Sequence, residues 1–353
     1  MIGKSSTIVI ASLLLAACGG GGGGGGGAPA PAPTPVTLSS LSAALPASGS
    51  LAAPGSQFAS SAIVGSVPAP PAAARAASPT FDFTHAEMAR LDSSGGVELT
   101  LLDGGGGKSV VGQLAGWVDF GFILPGLVAA LDESASLSVP GYTSLGETDV
   151  LMMDGTATVD LTYTGFAYWL VDDFDPTDDT RYQFVIAGGG AFSTSPAPNL
   201  TTIASLPTTA VYTGKTFGLA AFNGGADGYA PFGGDATLTA DFGAGTVDAA
   251  FTDLMIHTDE TTAYLMGDVT FNGATIDAAS ASVSGGTAMT YVDDMNPGGV
   301  TPDGGAALEA GFYGPAAEEM AGTWHVSGTN LVQPDPGETA PMIDISGAFG
   351  AAR

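Results

Sequence analysis

The sequence predicts an all-β protein: a β-rich N-terminal region, then an eight-stranded antiparallel β-barrel, both behind a disordered Gly/Ala/Pro tether. Three observations carry this. From about residue 81 onward, short alternating runs are separated by Gly, Asn, Asp and Pro, the punctuation of strands and turns. In the second half, eight such runs follow one another across short turns, a number of strands that can close on itself. From Gly19 to about Ser78 the chain is Gly, Ala, Pro and Ser with scarcely a charge, and it shows neither helical nor strand periodicity.

The first element is a targeting segment. Lys4 gives a positive start, and Ile8 to Ala17 form an apolar core too short to cross a membrane as a helix. The string Leu15-Ala16-Ala17-Cys18 resembles the lipobox of bacterial lipoproteins, which implies cleavage after residue 17 and lipidation of Cys18. The plain alternative is a buried free cysteine, but nine glycines follow it and offer nothing to pack against. Gly19 after the cysteine fits outer-membrane delivery under the bacterial sorting pattern. Several acyl chains make such an anchor stable where one is marginal. Cys18 is the only cysteine, so no disulfide, thiolate metal site or cysteine nucleophile is expected beyond it.

The tether comes next. Residues 18–79 are expected to be an extended linker, and sixty such residues reach roughly 40 Å by flexible-chain scaling. Residues 80–205 are expected to form the first β domain. Here "VELTLL" (97–102) and "GWVDFGFIL" (116–124) read as strands, and "TATVDLTYTGFAYWLV" pairs with "RYQFVIAGG" across an acidic tip, "DDFDPTDDT". Proline and polar residues in "SPAPNLTTIASLP" (195–207) mark a boundary, leaving 206–353 for the barrel.

The eight barrel strands are "TAVYTGKTFGLAAF", "GDATLTADF", "TVDAAFTDLMI", "YLMGDVTFNGATI", "ASVSGGTAMTYV", "AALEAGFYG", "MAGTWHVSG" and "IDISGAFGAAR". In the second, Ala236, Leu238, Ala240 and Phe242 share a face opposite Thr237, Thr239 and Asp241. Such a period of two means antiparallel pairing with one buried face. A membrane-spanning barrel has the same period, but these strands are mostly shorter than spanning needs and only three Trp are present for interfacial belts.

Charge excludes some partners. Seven Lys and Arg stand against 35 Asp and Glu, a formal charge of −28. Nucleic acid and anionic lipid are repelled; a saline habitat or a basic protein partner both fit. Apparent chemical motifs fail on their spacing. "GGGGKS" (104–109) lacks the first glycine of a phosphate loop, since Leu102 stands there, so it reads as a hairpin turn. No G-x-S-x-G elbow accompanies the three histidines, His85, His257 and His325. No catalysis and no cofactor are expected.

Several residues remain as binding candidates. Asp173, Asp175 and Asp179 alternate as calcium-loop oxygens can, although the turn glycine and closing glutamate are missing. His257, near Met255 and Tyr264, has the chemistry of a haem ligand; an ordinary loop histidine is the alternative. Tyr229 and Phe232 stand on a glycine-rich connection, where large apolar side chains are either tucked over the barrel end or offered to a partner. Glu318 and Glu319 are expected to solvate a hairpin end.

A family resemblance rests on "GFYGPAAEEMAGTWHVSG" (311–328) and "ISGAFGAAR" (345–353). Together they resemble the closing strands of the transferrin-binding protein B barrel domain. The matching positions are Gly311, Phe312, Tyr313, Gly314, Pro315, Trp324, Gly347, Phe349 and Gly350. "LPTTAVYTGKTFG" is similar to the first barrel strand of that family, and "LTYTGFAYWLVDD" to the run that precedes the barrel. The resemblance covers about residues 155–353, with one lobe where the transferrin receptor has two. It implies a handle-like β domain before the barrel. It also implies a non-catalytic surface lipoprotein of a Gram-negative outer membrane that captures a protein or an iron- or haem-carrying ligand, with a TonB-dependent transporter as a possible partner. The alternative is a structural or adhesive envelope lipoprotein. Neither reading fixes an oligomeric state.

Overall fold

The computed structural model describes residues 49–50, 63–66, 83–90, 97–103, 108–114, 117–139, 142–143, 148–173, 184–193, 203, 205–222, 229–257, 263–291, 299–329, 331 and 342–353. Strand dominates throughout. The N-terminal part carries β1 (Gly49–Ser50), β2 (Ile63–Ser66), β3 (Phe83–Arg90), β4 (Val97–Asp103), β5 (Lys108–Leu114), β6 (Trp117–Asp119), β7 (Val128–Val139), β8 (Tyr142–Thr143), β9 (Thr148–Asp154), β10 (Thr164–Asp173) and β11 (Phe184–Ser193). They form one sheet in the order β1-β3-β4-β5-β7-β9-β10-β11-β2, with β6 and β8 paired on β7.

Several expectations change here. β1 and β2 arise inside 18–79, where composition predicts no regular structure; both are short edge strands held by backbone pairing to β3 and β11. The run from Thr156 is not one long strand. A 3-10 turn (Thr156–Thr158) and bends occupy its first half, and β10 starts only at Thr164. Likewise only Trp117–Asp119 of "GWVDFGFIL" is strand; a tight turn over 120–127 follows, closed by Phe120 N–H donating to the Leu127 carbonyl at 2.8 Å. The "GGGGKS" segment is bounded by β4 and β5, which pair antiparallel with Leu102 opposite Lys108, as a hairpin requires.

The C-terminal part carries β12 (Thr209–Phe222), β13 (Tyr229–Asp241), β14 (Thr246–His257), β15 (Ala263–Asp277), β16 (Ser282–Ser284), β17 (Thr287–Tyr291), β18 (Gly305–Tyr313), β19 (Glu319–Gly328) and β20 (Ile343–Ala352). The ring runs β12-β13-β14-β15-β16-β18-β19-β20 and closes because β12 pairs with β20 and β14 with β15. This is a closed eight-stranded antiparallel barrel. β16 and β17 are one strand in sequence, interrupted at Gly285 and Gly286, whose φ values of 83° and 91° suit glycine.

Alternation sorts the two faces. Inward go Tyr212, Phe232, Leu238, Phe251, Phe271, Phe312, Trp324 and Phe349, all 0–1 % exposed. The Trp324 indole stacks on Phe251 at 4.8 Å and 16°, and Phe232 and Phe349 lean on that pair. Its Nε1 donates to Thr216 Oγ1 at 2.9 Å, so the one polar atom of the indole is satisfied inside an apolar barrel. On the outward face Thr237, Thr239, Asp248, Asn272 and Glu309 are exposed. The interior is thus the apolar side, the reverse of a membrane-spanning barrel.

One side of the outer wall is covered. The N-terminal sheet lies over β12, β19 and β20, and its Phe166, Tyr168 and Leu170 share a buried cluster with Phe217, Leu219 and Ala348. The 120–127 turn adds Phe120, Ile123, Leu124 and Leu127 to the same cluster. At roughly 1.5–3 kcal/mol per buried large apolar side chain, this contact is of core quality.

Candidate functional site

Strand direction gives the barrel two unlike ends. One is shut by three tight turns, 242–245, 278–281 and 314–317. Beneath them Tyr212 Oη donates to the Ala317 carbonyl at 2.7 Å, and Phe242 packs on Phe312 at 5.4 Å. At the other end β12, β14, β17 and β19 finish and β13, β15, β18 and β20 begin. The 120–127 turn lies beside this second rim.

The sequence-derived candidates fare unequally at this rim. Phe232 is overturned as a partner contact: it lies in β13, is 0 % exposed and packs on Trp324 at 5.5 Å. The glycine-rich connection is shorter than the sequence suggests because β13 already begins at Tyr229, opposite Ala221. Nothing is described of the Tyr229 side chain. Asp173 ends β10 opposite Phe184, while Asp175, Asp179 and Cys18 lie outside the described residues. Among the described residues no group of three His, Cys, Asp or Glu side chains could hold a metal.

His257 ends β14 on the outer wall. Phe122 of the 120–127 turn meets its ring edge-on, with centroids 6.0 Å apart. Its Nε2 is enclosed and has no hydrogen-bond partner, and burial holds the imidazole below its usual pKa, so it is neutral at pH 7. An iron could reach this nitrogen only if the packing around it opened. His325 lies on the same outer wall, 4.0 Å from Asp344; burial lowers its pKa and Asp344 partly offsets that.

The family-like motif turns out to be a joint. Gly311, Phe312 and Tyr313 close β18, and Gly314 (φ 87°) and Pro315 make the turn into β19. A Cβ on Gly314 would strike the Glu318 carboxylate and come within 2.7 Å of the Tyr163 ring. Gly350 leaves space for Phe166, which would lie 2.5 Å from a Cβ there. Gly347 sits under the Trp324 indole in the same way.

Sequence reasoning missed the strongest polar contact of this joint. Glu319 is 3 % exposed, and its carboxylate accepts the backbone N–H groups of Thr162 (2.6 Å), Tyr163 (2.9 Å) and Thr164 (3.0 Å). It does not solvate a hairpin end. The available signal was its adjacency to Glu318, which puts the two carboxylates on opposite faces. Glu318 stays half-buried and accepts the Ala316 N–H at 2.8 Å.

Comparison with known proteins agrees with the barrel. Residues 206–353 match the family described as the C-lobe and N-lobe beta barrels of Tf-binding protein B. No curated protein matches the sequence. Among solved structures, the isotype 1 transferrin binding protein B from serogroup B Neisseria meningitidis is similar over 77 % of this chain and 52 % of its own, at 17 % identity and a TM-score of 0.32. The chain therefore spans about half the length of that structure.

Proposed function

Because residues 206–353 form a barrel domain of the transferrin-binding protein B type, we propose that this chain is a non-catalytic capture lipoprotein, held at the outer membrane by lipid on Cys18 and displayed at the cell surface. The observation that carries this reading is the barrel itself. Among the described residues aromatic side chains fill its interior, so recognition is assigned to the outside and above all to the second rim. The captured molecule is a protein, or an iron- or haem-carrying ligand, passed on to a TonB-dependent transporter.

The charge supports a binding role at that rim. The connections leaving it, 223–228, 258–262, 292–298 and 332–341, contain Asp227, Asp259, Glu260, Asp293, Asp294, Asp335 and Glu338 and not one Lys, Arg or His. The two basic residues of the barrel are engaged elsewhere: Lys215 pairs with Asp235, and Arg353 donates to the Ala316 carbonyl at the closed end. A rim of one sign raises the encounter rate of an oppositely charged partner, and the tether holds the captured molecule near the membrane.

The test has two stages. Intact cells are treated with a protease that cannot cross the outer membrane. Loss of the barrel is expected; survival until the membrane is permeabilised overturns surface display. Immobilised residues 28–353 are then offered iron- and haem-carrying proteins. Retention that weakens as salt rises is expected, and failure to retain any of them removes the nutrient-capture role.

A further inference from the structure

The last strand in the order of the N-terminal sheet comes from the tether. β2 pairs antiparallel with β11, with Ile63 opposite Ala187, Val64 opposite Ile186, Gly65 opposite Val185 and Ser66 opposite Phe184. Beyond Ala187, β11 runs against the barrel: Gly188–Ala191 are buried, and a Cβ on Gly189 would fall 2.9 Å from that of Ala348. The edge of β11 that needs cover is thus four residues long, and β2 covers it.

Three features distinguish β2 from a permanent strand. It is joined to the sheet on one side only. Half of it is Gly65 and Ser66, and glycine is a weak strand former. Pro68, Pro70 and Pro71 follow at once and cannot extend the ladder as donors. Meanwhile β1, twelve residues upstream of β2, pairs with β3 at the opposite edge of the sheet.

We propose that Ile63–Ser66 is a releasable strap: it guards a strand-addition edge on β11, and when it leaves, that edge accepts an extended peptide. Bare edges present unpaired N–H and C=O groups that invite pairing with other chains, so a chain displayed in a crowded medium gains by keeping its own segment there. This inference does not depend on what the rim captures.

Amide hydrogen exchange on the mature chain and on its Val64→Pro/Gly65→Pro variant tests it. The two prolines remove a ladder donor whichever way the pairs alternate. The two amides of 184–187 that donate to β2 should be protected in the parent chain and exchange at least tenfold faster in the variant, while the two that donate to β10, and those of β19 and β20, are unchanged. A synthetic peptide of residues 60–69 added to the variant should restore the protection. Equal exchange in the two chains overturns the strap. Loss that the peptide does not restore overturns strand acceptance, and loss that spreads to β19 and β20 overturns releasability.

Discussion

Glu319 shows how much one side chain contributes to this architecture. Its carboxylate accepts the Thr162, Tyr163 and Thr164 N–H groups, and a hydrogen bond to a charged group contributes about 1.5–3 kcal/mol net. Glu319→Ala removes the charged acceptor shared by three N–H groups and is expected to cost about 2–4 kcal/mol. Glu319→Gln keeps an acceptor but loses the charge, and should cost about half as much. Urea unfolding checks the order, with the exposed Glu309→Ala as a control expected within about 0.5 kcal/mol of the parent. An unchanged midpoint for Glu319→Ala would refute the joint. From sequence alone Glu319 looks solvent-facing, because its strand alternates correctly and its outward side is read as wet. What covers that side is 155 residues away in the chain, and no local pattern records it.

At the scale of elements, alternation recovered what it is able to recover. Each of the eight barrel strands is found in its expected stretch, although β13 starts earlier, at Tyr229, and the fifth is broken into β16 and β17, and the face of Ala236, Leu238 and Ala240 is the buried one. Alternation failed where two faces are both covered: Thr164–Leu170 are buried without a break, so the start of β10 could not be read from the pattern. It failed again at 120–127, where apolar residues suggested a strand but Gly121, Pro125 and Gly126 bend the chain, Gly126 with φ 85°. That turn is seated on β13. A Cβ on Gly233 would lie 2.8 Å from Leu124 Cγ and 2.9 Å from the Ile123 carbonyl. Gly233→Ala is therefore expected to cost about 1–3 kcal/mol through overpacking, and Leu124→Ala about 2–3 kcal/mol through lost burial and a cavity. In the double variant the truncated Leu124 makes room for the new methyl. The two costs should fall short of additive by at least about 0.5 kcal/mol; strict additivity would mean that the turn does not seat there.

For the whole molecule, the sheet and the barrel share one apolar interface, and this decides what the barrel is without its neighbour. The family match covers residues 206–353, so that segment invites expression alone. Yet Phe217, Leu219, Ala321 and Ala348 on its outer wall are 0–1 % exposed only because the N-terminal sheet covers them. Removing that sheet uncovers a contiguous apolar patch of the kind that drives association and takes the Thr162, Tyr163 and Thr164 N–H donors away from the Glu319 carboxylate. Interfaces this apolar also make the two parts unfold together. The isolated segment is expected to self-associate in light scattering and to melt several degrees below residues 80–353. Phe217→Ser/Leu219→Ser should return it towards a monomer while lowering the melting point of the longer chain. A monomeric 206–353 with an unchanged melting point would mean that the sheet rests on the barrel without stabilising it, and the charge of the barrel, 18 acids against two bases, would then suffice to keep it apart from its copies.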